Sequence, residues 1–123
     1  MSNKFERAGH IFEYTASGDV AVNSARVVGT GILGVALIAG VSGDIIPHAI
    51  EGVFTIPKVS AAVITKGQQV LWDVSAASGA GEADDDQATP ATGDFLCGMA
   101  AETAGNGVTE IAVHLNKRAA AVT

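Results

Sequence analysis

The sequence predicts a mainly β fold: a β-sandwich or distorted β-barrel of about seven to nine short strands, with one long loop and at most two short helices. Three observations lead there. Val (14) and Ile (9) outnumber Leu (5), and β-branched side chains suit a pleated surface while losing rotamer freedom on a helix. Two stretches, Ile45 to Ile56 and Val108 to Leu115, alternate with the two-residue period of a half-buried strand. Gly, Pro, Asn and Asp recur about every eight to twelve residues, the punctuation of many short strands.

Each element has its own local signal. His10 to Tyr14 places His10, Phe12 and Tyr14 on one side of a first strand, and Ser17-Gly18-Asp19 turns it. Asp19 to Val22 reads as a short partner. Ala25 to Val28 and Ile32 to Ile38 are apolar runs parted by Gly-Thr-Gly, and Val41 to Asp44 is a turn. Ile45 to Ile56 reads as one strand, with Ile46, His48, Ile50, Phe54 and Ile56 on one face. Pro47 and Pro57 limit its pairing, because proline donates no hydrogen bond. Val59 to Thr65 fits a loop or one helical turn. Gln69 to Val74 directs Val70, Trp72 and Val74 to one side, and Ser75 to Gly93 is the long loop. Phe95 to Ala100 and Val108 to Leu115 are the last two strands. Phe54, Trp72 and Ile111, on the more apolar faces of their strands, are the expected core. One echo recurs: Gly34-Val35-Ala36 precedes Gly43 and a strand, as Gly98-Met99-Ala100 precedes Gly107 and a strand. Two similar hairpins suffice to produce it.

These 123 residues are one domain's worth of chain, with a core at 10–116, an N-terminal arm at 1–9 and a flexible tail at 117–123. With 48% apolar and 16% charged residues, the chain as a whole is not intrinsically disordered. The formal charge is −6, and eight acids with no Lys or Arg lie between Gly67 and Asn116. Such a surface repels phosphate backbones, which disfavours direct nucleic-acid binding. The single cysteine, Cys97, forms no internal disulfide. The opening residues lack the apolar core of a signal peptide. The run Val27 to Val41, interrupted by four glycines, is shorter than the ~20 residues of a membrane helix. No membrane association is expected.

Four features invite chemistry. Gly29-Thr30-Gly31-Ile32-Leu33-Gly34 matches a dinucleotide-binding pattern, but that mechanism needs a helix after the glycines to hold the pyrophosphate. The run Val35 to Val41 is too short and too β-branched for that helix. Glu82, Asp84, Asp85 and Asp86 could offer oxygen ligands, but without calcium-loop spacing they read as a solvated loop tip. His10, His48 and His114 have no metal-ligand spacing, and the last two fall on strands as structural residues. Cys97, between Leu96 and Gly98, reads as an inert buried thiol. No nucleophile, base and oxyanion site assemble, so no enzyme, cofactor or metal is expected.

Several segments, in this order, carry a resemblance. They are Gly34-Val35-Ala36, Gly43-Asp44, Glu51-Gly52-Val53-Phe54-Thr55-Ile56-Pro57-Lys58, Lys66 to Asp73, Leu96 to Ala101 and Val108 to Asn116, preceded by the opening Phe5 to Tyr14. Over residues 4–116 the chain resembles a family of small tailed-phage and prophage proteins described as capsid decoration or cement proteins. It departs from them in the longer, more acidic Ser75–Gly93 loop, and in Gln68, where an acid is common.

The resemblance implies a non-catalytic protein, made in the bacterial host cytoplasm, that sits on the outer surface of the virion head. Its partners would be the major capsid protein and itself, as a symmetric homo-oligomer, with a trimer favoured over a dimer. The contact is expected in the N-terminal segment Ser2 to His10, through Lys4, Phe5, Arg7 and His10, and at loop tips, because that segment holds two of only seven positive charges. The alternatives are another virion component, such as a head–tail joining or tail-tube subunit, and a nucleotide or small-ligand module built on Gly29–Gly34.

Overall fold

A computed structural model describes residues 10–85 and 92–117. Nine strands occur among them: β1 (Ile11–Thr15), β2 (Ala25–Gly29), β3 (Ile32–Ala36), β4 (Ile45–Ala49), β5 (Val53–Pro57), β6 (Gln69–Asp73), β7 (Glu82–Asp84), β8 (Phe95–Ala100) and β9 (Glu110–Leu115). They form two antiparallel sheets, ordered β1-β4-β3-β2 and β5-β9-β8-β6-β7. The mainly β expectation holds, and the single helical element among the described residues is a 3-10 turn at Ala77–Gly79.

The two sheets repeat one plan. Strands β1 to β4 correspond to β5, β6, β8 and β9 in order and in register. Val35 pairs with Ala49 and Ala36 with His48; Met99 pairs with His114 and Ala100 with Val113. Phe12 opposes His48 as Phe54 opposes Val113. Arg26 opposes Gly34 as Val70 opposes Gly98. Even the loops match, joined by the bridge Val20–Gly40 in the first unit and Ile64–Ala104 in the second.

The echo in the sequence thus has a physical cause. A Cβ on Gly34 would lie 2.9 Å from the His48 Cβ, and one on Gly98 would lie 2.1 Å from the His114 carbonyl oxygen and 2.6 Å from Val113 Cγ1. Gly43 and Gly107 both have φ of 93°, a backbone that costs glycine nothing. Their N–H groups donate to Ala16 and Ser60 at matching places.

The largest difference between the units is one insertion. Between β6 and β8 the second unit inserts β7, which pairs with β6 on one side. Ala83 of β7 also bridges Lys58, and its carbonyl accepts the Val59 N–H at 2.8 Å. The edges of the second sheet are thereby tied together. In the first unit β2 passes to β3 through the tight Thr30-Gly31 turn. The long loop expected at Ser75–Gly93 therefore contains a strand and a 3-10 turn, and its residues 86–91 fall outside the described part.

The stretch read as one strand, Ile45 to Ile56, is two. Gly52 takes φ of 106°, and the chain leaves one sheet for the other there. Ile46 and His48 serve the first unit and Phe54 and Ile56 the second. Val59 to Thr65 is a turn leading to the Ile64 bridge, with no helix. The main core gathers Leu33 and Val35 from the first sheet with Ile56, Ile64, Val70, Trp72, Cys97, Ile111, Val113 and Leu115 from the second. A smaller cluster, Ala16, Val20, Ala36 and Ile46, lies within the first unit. Trp72 and Ile111 are buried as expected. Phe54 is only half-buried, because it stands at the exposed start of β5 with its ring edge beside Gly52.

Asn116 clamps the units. Its Oδ1 accepts the Leu33 N–H at 3.0 Å, and its Nδ2 donates to the carbonyls of Leu33 (2.9 Å) and Ile50 (2.8 Å). Its φ of 57° is one that asparagine tolerates better than most residues. Asn116→Ala is expected to cost about 2–3 kcal/mol, three modest hydrogen bonds with their partners left unpaired. Asn116→Asp, which keeps the acceptor but turns a carboxylate toward two carbonyls, is expected to cost at least as much. Urea midpoints at constant m-value check both.

Candidate functional site

Of the four arm residues expected at the contact, Lys4, Phe5 and Arg7 lie outside the described residues. His10 is exposed at the mouth of β1, where its carbonyl accepts the Ile50 N–H at 2.9 Å. The other sequence candidates resolve individually. Gly29–Gly34 is the β2–β3 hairpin, with Gly31 at φ 69° in its turn. No helix N-terminus comes after it, so the nucleotide reading fails there. Cys97 is buried, and burial pushes its thiol up to about 12, far from a reactive thiolate.

Two acids of the loop, Asp84 and Asp85, are engaged with the backbone. An Asp85 carboxylate oxygen accepts the Val63 N–H at 2.9 Å, and Asp84 accepts the Asp85 N–H at 2.7 Å. Burial, and then neighbouring Asp85 and Asp73, raise the Asp84 carboxyl above its ordinary range. Among the described residues no group of His, Cys, Asp and Glu converges as a metal site, and no helix is long and apolar enough to cross a membrane.

Two polar side chains are buried, Lys58, which carries no local signal in the sequence, and His48, which was read there as structural. Lys58 is 1% exposed. Its ammonium donates to the carbonyls of Val59 (2.8 Å), Ser60 (3.4 Å), Gly105 (3.2 Å) and Val108 (2.9 Å). Among the described residues its partners are all main-chain oxygens, so one side chain holds two loops together. The second group is in the first unit. His48 is fully buried. Its Nδ1 lies 3.0 Å from the Ile46 carbonyl, and its Nε2 accepts the Arg26 Nε–H at 2.9 Å. Arg26 also donates to Ser24 Oγ. The guanidinium carbon stands 5.9 Å from the centre of the Tyr14 ring, which meets His48 edge-on at 5.3 Å. Neither Lys58 nor Arg26 carries a local sequence signal; only the pairing of distant strands exposes their roles.

The surface is uneven in a way the repeat makes measurable. At the loop end of the first unit Val22, Leu37, Ile38, Val41 and Ile45 are exposed, Ile45 by 62%. The matching positions of the second unit carry Lys66, Ala101, Glu102, Gly105 and Glu110. The same backbone therefore accepts polar residues there, and the apolar set is not a demand of the fold. Apolar residues gathered on a surface mark contact sites.

A family model described as phage cement protein matches residues 7–115. No curated protein and no solved structure matches the chain. With nearly the whole length covered, the chain belongs to the phage cement protein family.

Proposed function

We propose that the protein binds the outer surface of an assembled phage head and stabilises it, without catalysis, as a closed symmetric homo-oligomer. A trimer is preferred to a dimer. The family match over residues 7–115 carries this reading. A ligand that binds only the assembled lattice lowers that state's free energy by mass action. The contact combines the N-terminal arm, with Lys4, Phe5, Arg7 and His10, and the apolar loop end of the first unit around Ile38 and Ile45. The arm and the tail flank a single β domain of residues 10–116, whose acid-rich second unit faces outward.

The test adds protein to heads that lack it and measures binding and the temperature at which heads rupture. The full chain is expected to bind and to raise that temperature. Deletion of residues 2–9 is expected to weaken binding at least about tenfold, about 1.4 kcal/mol. Ile38→Glu with Ile45→Glu, which copies Glu102 and Glu110 of the second unit, is expected to fold normally and lose binding. A full chain that neither binds nor protects overturns the decoration reading. Equal binding by the truncated chain removes the arm from the contact, and equal binding by the double glutamate variant removes the apolar end.

A further inference from the structure

The internal repeat supplies a comparison within one molecule. In the second unit the positions matching Tyr14, Arg26 and His48 are Ile56, Val70 and Val113, all fully buried. The four-stranded plan is therefore satisfied by three aliphatic side chains. The first unit replaces them with a phenol, a guanidinium and an imidazole in mutual contact. His48 is fully buried while Tyr14 and Arg26 are half-buried, and burying an imidazole costs free energy unless it is partnered, so the exchange calls for a reason other than packing.

The geometry fixes the ring's protonation. Arg26 Nε can only donate, so His48 Nε2 is the bare, accepting nitrogen and Nδ1 carries the proton toward the Ile46 carbonyl. The bond runs from β2 to β4 over the intervening β3, whose glycine at position 34 leaves room beside His48. Among the described residues, the charged or titratable groups against His48 are Arg26 from β2 and Tyr14 from β1. The facing positions of β3 are Gly34 and Ala36, and β4 itself adds Ile46. No carboxylate is among them to welcome an imidazolium. We propose that Arg26 and His48 form an acid-sensitive latch, in which neutral His48 accepts the guanidinium's hydrogen bond and holds β2 to β4, and protonation of His48 releases it.

A proton on Nε2 would set donor against donor and cation against cation at a 2.9 Å contact. Burial, and then the Arg26 charge, outweigh the Ile46 hydrogen bond and hold His48 below its ordinary 6.5. The unfolded chain thus binds the proton more readily than the folded one. Stability is full above pH 6.5 and is lost as pH falls from there toward the folded value. The loss falls on the first unit, because the second has valines at both positions.

The test compares the full chain with Arg26→Val/His48→Val, which transplants the second unit's solution, and with His48→Gln, which cannot titrate. Melting is followed from pH 8 to pH 5. The wild type is expected to lose about 5 °C more than either variant across that range. Parallel curves overturn the latch. A readout on the wild type alone covers the case in which neither variant folds. NMR of the His48 ring, resolved from His10 and His114, is expected to show protonation coinciding with lost amide protection in β2 and β4 and retained protection in β8 and β9. Protonation of His48 with β2 and β4 still protected overturns the proposal.

Discussion

Gly98→Ala is expected to destabilise the protein by more than about 4 kcal/mol, enough to unfold much of a marginally stable domain. The added methyl would sit 2.1 Å from the His114 carbonyl oxygen. That atom belongs to the main chain of β9, which is fixed by pairing with both β5 and β8. The residue also borders the irregularity where Val70 faces Gly98 but Leu71 faces Leu96. Cys97 is left over there, and its carbonyl accepts the Asn116 N–H at 2.7 Å. Moving β9 away would disturb the strand end that carries the clamp. Gly34→Ala, at the matching place, meets side-chain atoms at 2.9 Å. It is expected to cost about 1–3 kcal/mol, the usual range for overpacking. Chemical unfolding of both variants checks the order, and a Gly98 variant as stable as the Gly34 variant contradicts the argument.

Lys58→Met is expected to cost about 3–5 kcal/mol, because four carbonyls lose a charged donor and are left short of a hydrogen bond. Methionine keeps much of the stem's packing, so the measured loss reports the ammonium and its four carbonyls. Lys58→Arg is not expected to rescue it, because a planar fork cannot direct its donors to oxygens placed around a point charge. Hydrogen exchange localises the effect. The Lys58 and Gly107 amides, which donate to Thr109 and Ser60, are expected to lose protection before those of β2 and β3.

The β class was legible because it rests on composition and two-residue alternation, which tertiary contacts reinforce. The strand break at Gly52 was not. Alternation continues in phase across it, from Ile46 and His48 to Phe54 and Ile56, although the two halves face different interiors. The echo of Gly34 and Gly98 was visible, but its meaning lay in what fills the space beside each glycine, His48 in one unit and Val113 in the other. Arg26, Lys58 and Asn116 were opaque for a common reason. Each acts on backbone or rings far along the chain, Asn116 on Leu33 across 83 positions, and no local pattern records such a partner. The four contact residues were chosen on the resemblance, on their place at or ahead of the first strand and on the charges of Lys4 and Arg7, and only His10 of the four falls among the described residues.

The repeat also bears on how the chain folds. In each unit the first strand pairs with the last, so neither sheet is complete until its own span has closed. That closure joins Ile11 to Ala49 in one unit and Val53 to His114 in the other. The inserted β7 lengthens the second loop, which by polymer scaling adds about half a kcal/mol to its entropic cost. Pairings this distant are slow to form. Synthesis delivers the shorter loop first, so the first sheet can assemble while the second is still being made. Leu33 and Val35 then wait for the main core they enter from the other side. The Asn116 amide arrives last, and the two halves lock only when nearly the whole chain has emerged.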